Sequence, residues 1–599
     1  MFLITTADQR FWKAGEDVLF LGEWCKIYSQ RHIWSKMNYK TLPYHWDDRE
    51  KFYRDFLFAD QLYEHCLPML SDRLNKIHNV THSTRYWRFI VGPWLFKLIG
   101  VLYDRYLSIC EAEKSQKVTN VLLPNPNSTD WVARDYSEFS YRIDNSDPFN
   151  QYLYSEIIRF SGNLFYETID TPVSNPCKAP GSGLKKFPVK VVKKILYSFS
   201  RLVPKKINRV IFVQSHIRPI ELACLQLSIG TVPNPGPPLI SPKKTVVDPK
   251  VRKGLVMHLG RGSFEELLSK IIPVQIPTVY LEGYSDMRKK ALKVYPKKPK
   301  LIYTTNAVYG DEGFKFWAAE KLNSQTKLIT SQHGGGYGIM KFSSFEKHKI
   351  KLSDRTFTWG WDQTFTWEWE ESNSSRLVPM ASGQLISRTK NLKANMKGNI
   401  LWLGMCIPRY FSNFFSQAVG PQVTNYLMDQ KRFADSISDE VRSLLKYAIY
   451  PSDYNWGQKE RLAEMCPSVK VCKGGGDFYK KLNEARLCIA TYNATTYLET
   501  FSANFPTLVF WNPEYWELRP SAQPYFDELR EVEILHDTPE SAASKANQIF
   551  RNPLAWWQSA AVQKVRKRFC NQYARTSPNW VSEWGAEIKK LNEEEIFSE

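Results

Sequence analysis

The sequence lacks the features that mark secreted, membrane-spanning and nucleic-acid-binding proteins. Its ten cysteines include no CxxC pair and no regular spacing, which favours reduced thiols in a cytoplasm over a disulfide framework. No window reaches the roughly 18 to 20 apolar residues that a membrane span needs. The first residues, MFLITTADQRFW, show neither the basic segment nor the long apolar run of a signal peptide. Zinc-finger and RNA-recognition signatures are also missing. We therefore expect a cytoplasmic protein and no nucleic-acid partner.

Composition indicates a folded protein of more than one domain. The 599 residues are too many for a single core, and 43% hydrophobic with 14% aromatic residues argues against disorder. The longest apolar segment, 89–103, is interrupted by Lys97. We expect it to be a buried helix, with a helix lying in a membrane interface as the alternative.

Positive charge is concentrated in one part of the chain. The net charge is +20, and residues 185–209 contain nine Lys or Arg and no acid, with apolar residues between them. Such a stretch can lie on an anionic membrane surface, be a solvated surface, or bind nucleic-acid phosphates. We expect peripheral contact with the inner face of the cytoplasmic membrane through 185–209.

Residues 301–338 read as one strand–helix–strand unit with reactive groups at both strand ends. LIYTT and KLITS are typical of buried strands, and the apolar residues between them recur at helical spacing. Asp311 and Glu312 follow the first strand, and His333 with three glycines follows the second. Because parallel strands bring their carboxyl ends to one edge of a sheet, these groups are expected at a ligand-binding edge. The two acids could equally be first-turn residues favoured by the helix dipole.

A second unit of this kind spans 485–511. It contains a strand to Thr491, the loop Tyr492-NAT, a helix from about Thr496, and the strand TLVFW. Thr496 and Glu499 have the spacing of a capping box. Alternatively, free amides at 494–496 hold a phosphate while Glu499 accepts hydrogen bonds from a ribose.

Two such units in tandem predict an α/β fold of two Rossmann-like domains facing each other across a cleft, the GT-B arrangement of many glycosyltransferases. We place the first domain at 1–390, as the acceptor-binding half, with an aromatic-rich helical insertion at about 50–115. The second domain, 391–599, begins with the strand at 399–404 and is expected to bind the nucleotide donor, with helices at its carboxyl end.

Five motifs in this order resemble one family. LFLGEWCKIY, LPYHWDDR, TRYWRFIVGPWL, TSQHGGGYG and TYNATTYLETF with the following LVFWNPEYWELR look like transferases from bacterial O-antigen and surface-polysaccharide clusters, known from Leptospira. The similarity runs from Thr5 to about Trp584. More remotely, the histidine–glycine loop and the Thr/Glu helix resemble GT-B enzymes that transfer Kdo from CMP, and glycerophosphotransferases that use CDP-glycerol. The His-Pro element of several CMP-sugar transferases is not evident.

The candidate residues fall into three groups. As catalytic residues we expect His333, Asp311 and Glu312, because glycosyl transfer needs a stabilised leaving phosphate and a base or nucleophile. The expected donor-binding residues are Gly334, Gly335, Asn493, Thr495, Thr496, Glu499 and Arg519, although Arg519 could instead pack against tryptophan. On the acceptor side we expect Glu23, His45, Asp47 and Asp48. No metal or other cofactor is expected, although two adjacent aspartates would permit a metal.

The resemblance implies a glycosyltransferase that moves a sugar, such as Kdo or another nonulosonic acid, from a CMP-linked donor. The acceptor would be a bacterial surface polysaccharide, such as the O-antigen of lipopolysaccharide, or its lipid-linked precursor. A CDP-glycerol-type glycerophosphotransferase is the alternative within the same class. A non-catalytic scaffold at the membrane is the alternative from another class, supported by the basic stretch and the 20 tryptophans.

Overall fold

The computed structural model describes residues 1–125, 128–170, 197, 209–323, 326–362, 376–475 and 478–593. Within these ranges the chain forms three β-sheets in which every strand pair is parallel. Parallel strands need crossover connections, and these place helices on the sheet faces, so central strands are buried on both sides. The predicted α/β class with Rossmann-like units is confirmed.

The first sheet occupies the amino-terminal part of the chain. Its strands are β1 (Phe2–Ile4), β2 (Val18–Phe20), β3 (Tyr39–Thr41), β4 (Asn120–Pro124) and β5 (Tyr166–Ile169). Their spatial order is β3-β2-β1-β4-β5, so the winding reverses between β1 and β4. The helices of this part are α1 (Arg31–Trp34), α2 (Arg49–His78), α3 (Thr84–Lys114), α4 (Tyr136–Asn145) and α5 (Asp147–Ser161).

The long helices α2 and α3 confirm the predicted aromatic-rich helical insertion. Segment 89–103 lies within α3 and is almost entirely buried, as the buried-helix prediction required. Lys97, which interrupts its apolar run, is buried too, and its ammonium donates to Ser140 Oγ (2.7 Å), Asp144 Oδ1 (3.1 Å) and Ser412 Oγ (2.8 Å). Among the described residues, no helix is both long and apolar enough to cross a membrane.

The second sheet contains the first of the two predicted strand–helix–strand units. Its spatial order is β10-β9-β8-β7-β6. Its strands are β6 (Val210–Val213), β7 (Leu301–Thr304), β8 (Lys327–Ser331), β9 (Arg355–Thr358) and β10 (Leu377–Pro379). Its helices are α6 (Pro219–Ser228), α7 (Pro249–Lys253), α8 (Ser263–Gln275), α9 (Tyr284–Val294), α10 (Ala307–Gly310), α11 (Glu312–Leu322), α12 (Ser344–Leu352) and α13 (Gly383–Thr389).

The third sheet contains the second unit and has the order β13-β12-β11-β14-β15-β16. Its strands are β11 (Asn399–Leu403), β12 (Leu445–Ile449), β13 (Lys470–Lys473), β14 (Ala485–Ala490), β15 (Thr507–Phe510) and β16 (Leu535–His536). The remaining helices are α14 (Val423–Ser436), α15 (Asp439–Leu444), α16 (Gln458–Met465), α17 (Phe478–Asn483), α18 (Thr495–Ser502), α19 (Gln523–Glu531), α20 (Pro539–Ile549), α21 (Pro553–Trp557), α22 (Ala560–Tyr573) and α23 (Trp580–Glu593).

The sheets are tied together by shared packing. Two of them precede the predicted boundary at 390, which falls between α13 and β11, and the third follows it. The last helix, α23, returns to the second sheet, where Trp584 packs against Tyr303 and Phe357 with ring centroids 5.6 and 5.1 Å apart.

Candidate active site

The two predicted motifs meet in the folded chain. The main-chain amide of Gly335, after β8, donates to Thr495 Oγ1 at the start of α18 (2.8 Å). A Cβ on Gly335 would lie 2.4 Å from the carbonyl carbon of Ala494, well inside contact distance. From the sequence, the glycines were expected to admit a ligand. The structure shows that Gly335 lets the second sheet approach the backbone of the third.

This junction lies at the carboxyl ends of the strands of the third sheet. The third sheet has the strand order 3-2-1-4-5-6 of a dinucleotide-binding fold, with its reversal between β11 and β14. In open α/β sheets, ligands bind outside the carboxyl ends of the strands at such a reversal. The loop that begins at Thr491 leaves β14 at that place, and Thr491 Oγ1 donates across the reversal to Leu403 O (2.7 Å).

The amino terminus of α18 has no side-chain cap, so the capping-box prediction is wrong. The helix begins at Thr495 with Ala494 as its N-cap residue, which has no oxygen-bearing side chain to accept the first amides. The Thr496 hydroxyl instead pairs with Tyr492 Oη (3.0 Å). An uncapped helix start presents amide donors and the positive end of the helix dipole, which together favour an anion.

Asn493 adds an unused donor beside this helix start. Its side chain is fully buried, and its Oδ1 accepts from Tyr497 Oη (3.0 Å). Its Nδ2 has no hydrogen-bond partner among the described residues. Because an unmade hydrogen bond on a buried amide is costly, this nitrogen is suited to a ligand acceptor.

Glu499 lies one turn into α18 and is buried, with 4% of its surface exposed. Its Oε1 accepts from Arg388 Nη1 (3.0 Å) and Tyr479 Oη (2.9 Å) rather than from the helix start. Burial raises the pKa of this carboxyl, and the Arg388 and Tyr479 hydrogen bonds oppose that rise. Within the described chain no donor reaches Oε2, so one carboxylate oxygen remains for a ligand hydroxyl.

His333 is held as a neutral imidazole by its surroundings. Its Nδ1 lies 3.0 Å from Lys349 Nζ and 3.3 Å from Tyr337 Oη. Burial and the nearby Lys349 and His216 hold the pKa of His333 well below its ordinary value, so the ring is uncharged at neutral pH. When Lys349 is protonated it donates to Nδ1, and the ring hydrogen is then on Nε2. Within the described chain, no protein group is bonded to Nε2.

Lys349 is the functional residue that the sequence did not reveal. It is fully buried, and its ammonium makes three hydrogen bonds: to Thr305 O (2.7 Å), Ser331 O (3.0 Å) and His333 Nδ1 (3.0 Å). Burial lowers the pKa of Lys349 to about 7. It lies in KHKIKL, where nothing distinguishes it from the neighbouring lysines, and only the packing of α12 under the strand ends places it below His333.

Neighbouring amides fix the histidine loop. Gln332 Oε1 accepts from the Trp359 amide (2.9 Å) and from Trp361 Nε1 (2.8 Å), while its Nε2 donates to Gly334 O (2.9 Å). On α13, Gln384 Nε2 donates to His333 O (3.1 Å). Since Arg388 of the same helix holds Glu499, α13 links the histidine loop to α18.

Asp311 and Glu312 have structural partners. Asp311 is the N-cap of α11 and accepts from the Phe314 amide (3.0 Å) and from Gln214 Nε2 (2.9 Å). Glu312 is buried 3.0 Å from Lys315 Nζ. Burial raises the pKa of both carboxyls. These contacts match the alternative of helix-start acids, and neither side chain contacts His333 among the described interactions.

Arg519 joins the third sheet to the loop and helix after β8. Its Nη2 donates to Glu346 Oε1 (2.7 Å) and its Nε to Met340 O (3.1 Å). The guanidinium also lies over the Trp361 ring, 5.7 Å from the centroid. Arg519 thus packs against a tryptophan, as the alternative interpretation expected, and it also forms a buried ion pair with Glu346.

Two residues predicted on the acceptor side have local structural contacts. Glu23 forms an ion pair with Lys26 (2.7 Å). Asp48 is the N-cap of α2 and accepts from the Lys51 amide (2.9 Å). Neither interaction involves the histidine loop.

The other two lie where the first sheet meets the carboxyl-terminal part of the chain. Asp47 accepts from Gln422 Nε2 (3.1 Å). The His45 side chain is buried 3.6 Å from Asp104, and burial with nearby cations holds its pKa well below the ordinary value. Its Nε2 is the atom 3.6 Å from Asp104 Oδ1, and it has no hydrogen-bond partner within the described part of the chain.

The groups at this junction suit an anion better than a metal ion. Helix amides, the Asn493 amide and the His333 N–H are all donors, and a metal ion needs acceptors. In the described ranges, no group of three or more His, Cys, Asp or Glu could hold a metal. The segment GGGD at 474–477 is a further loop that could contact phosphates, and its last two residues, 476 and 477, lie outside the described residues. Most of 185–209 also lies outside them.

The fold and this junction together define a Rossmann-type α/β protein in which hydrogen-bond donors gather at the edges of two sheets. The chain belongs to the LIC12162 family of transferases, whose sequence model matches residues 1–588. The resemblance predicted from the five motifs is confirmed, and the protein is an enzyme of the transferase class. No curated protein matches the chain.

Solved structures that match parts of the chain at low sequence identity include the following three. Trehalose-6-phosphate synthase OtsA has 8% identity and a TM-score of 0.33, covering 54% of this chain and 80% of its own. MurG of Acinetobacter baumannii has 13% identity and a TM-score of 0.31, covering 64% and 99%. WaaG, a glycosyltransferase involved in lipopolysaccharide biosynthesis, has 12% identity and a TM-score of 0.26, covering 51% and 95%. These TM-scores are low.

Proposed function

We propose that this transferase moves a glycosyl group from a nucleotide-activated sugar, with the leaving phosphate bound between His333 and the start of α18. The observation that supports this most is the contact of the histidine–glycine loop with an uncapped helix start. Gly335 and Thr495 are joined at 2.8 Å, and the unused Asn493 Nδ2 lies next to the helix start in the sequence. A helix start with free amides is suited to a phosphate.

In this proposal His333 is the residue that assists bond cleavage. As the bond from the sugar to phosphate breaks, negative charge develops on the departing phosphate oxygen. The Nε2–H of a neutral His333 would donate to that oxygen, and the α18 amides would stabilise the remaining charge. Donors that are fixed before the reaction act most strongly on such developing charge. Asp311 and Glu312 have no part in this step, because both are engaged in structural contacts.

Glu499 would recognise the nucleoside. Its free Oε2 can accept hydrogen bonds from ribose hydroxyls, while Arg388 and Tyr479 orient the carboxylate through Oε1. The acceptor would approach from the first sheet, as the GT-B arrangement implies. Gly334, Thr496 and Arg519 then support the donor site without a direct ligand contact.

The finer identity of the substrates rests on the motif resemblance: a CMP-linked acidic sugar as donor, and a bacterial surface polysaccharide such as O-antigen, or its lipid-linked precursor, as acceptor. With that acceptor, the enzyme would work at the cytoplasmic face of the membrane. A CDP-glycerol donor is the alternative. Calorimetry with CMP, CDP, UMP, UDP and GDP tests this directly. We expect the cytidine nucleotides to bind at least tenfold more tightly than the others, and a lack of binding by both would contradict a cytidine donor.

The scaffold alternative makes a different prediction. An enzyme that binds nucleotide only when folded must gain thermal stability as nucleotide is added, by mass action. We expect the melting temperature to rise with nucleotide concentration and the rise to be lost in Glu499→Ala. A melting temperature that is unchanged by every nucleotide and nucleotide sugar would favour a scaffold.

A further inference from the structure

A cavity of about 840 Å³ is lined by none of the residues discussed above. It lies between α7, the loop after it, α8 and the 3-10 turn Ser128–Trp131. Its volume is within the range of about 300–1,000 Å³ that is typical of sites for small organic ligands. The described residues therefore contain a second place where a ligand of substantial size could be enclosed.

The wall of this cavity is predominantly apolar. Val256, Met257 and Val274 contribute to it, and Val256 is 51% exposed. Covering an exposed apolar side chain in a large concave surface with a hydrocarbon removes apolar area from water, which favours binding. Inorganic phosphate or a free sugar would make no use of such a wall.

The exposed polar lining of the cavity is mainly cationic. Lys253, Arg261 and Lys270 line it and are exposed, and none of them forms an ion pair with a described residue. Glu266 is the single acid among the described lining residues. The lining thus has an excess of positive charge that no described protein group neutralises.

The buried cation of the cavity, in contrast, is already paired. Arg252 Nε donates to Glu282 Oε1 (2.7 Å), and its Nη groups donate to main-chain carbonyls, including that of Pro273 (2.9 Å). An anionic ligand group would therefore bind the three exposed cations, leaving the apolar wall to its uncharged part.

We propose that this cavity binds a single-chain membrane lipid with an anionic headgroup. The hydrocarbon chain would cover the apolar wall, and the headgroup would pair with Lys253, Arg261 and Lys270. Residues 185–209 contain nine basic residues and no acid. The same charge would be attracted to an anionic lipid surface. The proposal is independent of the glycosyl-transfer proposal.

Binding of alkyl phosphates to the full-length protein tests it. Octyl, decyl and dodecyl phosphate would be titrated by calorimetry below their micelle concentrations. We expect saturable binding with one site, and a decrease in Kd of about fourfold for each added methylene until the cavity is filled. The proposal would be overturned if inorganic phosphate by itself displaced the alkyl phosphates. It would also be overturned if dodecyltrimethylammonium bound as tightly as dodecyl phosphate.

Charge reversal locates the site. The triple variant Lys253→Glu, Arg261→Glu, Lys270→Glu changes only exposed side chains and should raise the Kd of dodecyl phosphate at least thirtyfold. Val256→Asp should weaken the dependence on chain length. An unchanged Kd in both variants would refute this location.

A matched control keeps the net charge change equal. Lys243, Lys289 and Lys293 are also exposed but line a different cavity. Their triple replacement by Glu should leave the Kd within threefold of the wild-type value. An equal loss of binding in this control would mean that net charge alone attracts the lipid, and it would overturn the proposal.

Discussion

Replacing Gly335 with alanine should open the junction between the two motifs. The added Cβ would lie 2.4 Å from the Ala494 carbonyl carbon and 2.6 Å from its oxygen. Ordinary contacts begin at 3.4 Å, so the loop and the start of α18 must separate by about 1 Å. The 2.8 Å hydrogen bond from Gly335 to Thr495 would then exceed hydrogen-bonding distance.

Two contributions set the free-energy cost of Gly335→Ala. Overpacking in a close contact costs roughly 1–3 kcal/mol, and the lost hydrogen bond costs about 1 kcal/mol more. If the phosphate site exists only when the junction is closed, this loss of about 2–4 kcal/mol raises the nucleotide Kd by roughly 30- to 1,000-fold. Calorimetry with the nucleotide that binds the wild-type enzyme measures this change, and urea denaturation shows whether the fold survives.

Gly334→Ala is the matched control. Its added Cβ would have a single near neighbour, Thr495 Oγ1 at 3.0 Å, and a shift of a few tenths of an ångström relieves this contact without breaking the hydrogen bond from Gly335. We expect its Kd to rise a few-fold at most. If Gly335→Ala binds nucleotide within twofold of the wild-type enzyme while remaining folded, the junction is not the phosphate site.

Four further outcomes follow from the contacts. His333→Ala should lower kcat about a hundredfold, because one positioned donor to the leaving phosphate is lost. Glu499→Ala should raise the nucleotide Kd by about 10- to 100-fold in calorimetry, since a hydrogen bond to a charged group is lost. Arg519→Met should lower the free energy of unfolding in urea by about 3–5 kcal/mol, because it leaves the Glu346 carboxylate buried and unpaired. The free energy of unfolding of the wild-type protein, relative to that of Lys349→Met, should rise by on the order of 2 kcal/mol from pH 7 to pH 9.

The stability that Lys349 contributes depends on pH, because its pKa differs between the folded and the unfolded chain. Burial lowers its pKa from 10.5 to about 7, so between these values the unfolded chain binds more protons than the folded one. Stability contributed by this residue therefore rises with pH across that window and is lost as pH falls to 7. A stability difference from Lys349→Met that does not change with pH would show that the ammonium is not buried.

The other predictions have equally definite contrary results. A His333→Ala enzyme with unchanged kcat removes this histidine from the mechanism, whereas unfolding of the variant would assign it to stability. Unchanged nucleotide affinity in Glu499→Ala excludes recognition by its Oε2. For Arg519→Met, the additional change Glu346→Gln should restore part of the stability, and no recovery would mean that the ion pair is not the cause.

Local pattern predicted most of the secondary structure at both motifs. β7, α11 and β8 lie where the apolar alternation and helical spacing of 301–331 place them, and β14, α18 and β15 agree with 485–511 to within a few residues. These predictions succeeded because buried parallel strands and amphipathic helices leave periodic signals in a short window. The capping box at Thr496 failed because the N-cap residue is Ala494, two positions earlier, and a pattern with the right spacing does not fix the helix register.

The sequence by itself thus determined the α/β class, the helical insertion, the strand end that holds His333 and the helix that holds Glu499. The tertiary structure alone decided what surrounds them. Lys349 is an ordinary lysine in the sequence, and it becomes the partner of His333 because α12 packs beneath two strand ends. Gly335 was expected to face a ligand, yet its missing Cβ admits Ala494 from another sheet. Contacts between residues 160 positions apart, such as Gly335 and Thr495, depend on how the sheets pack, and no local periodicity encodes them.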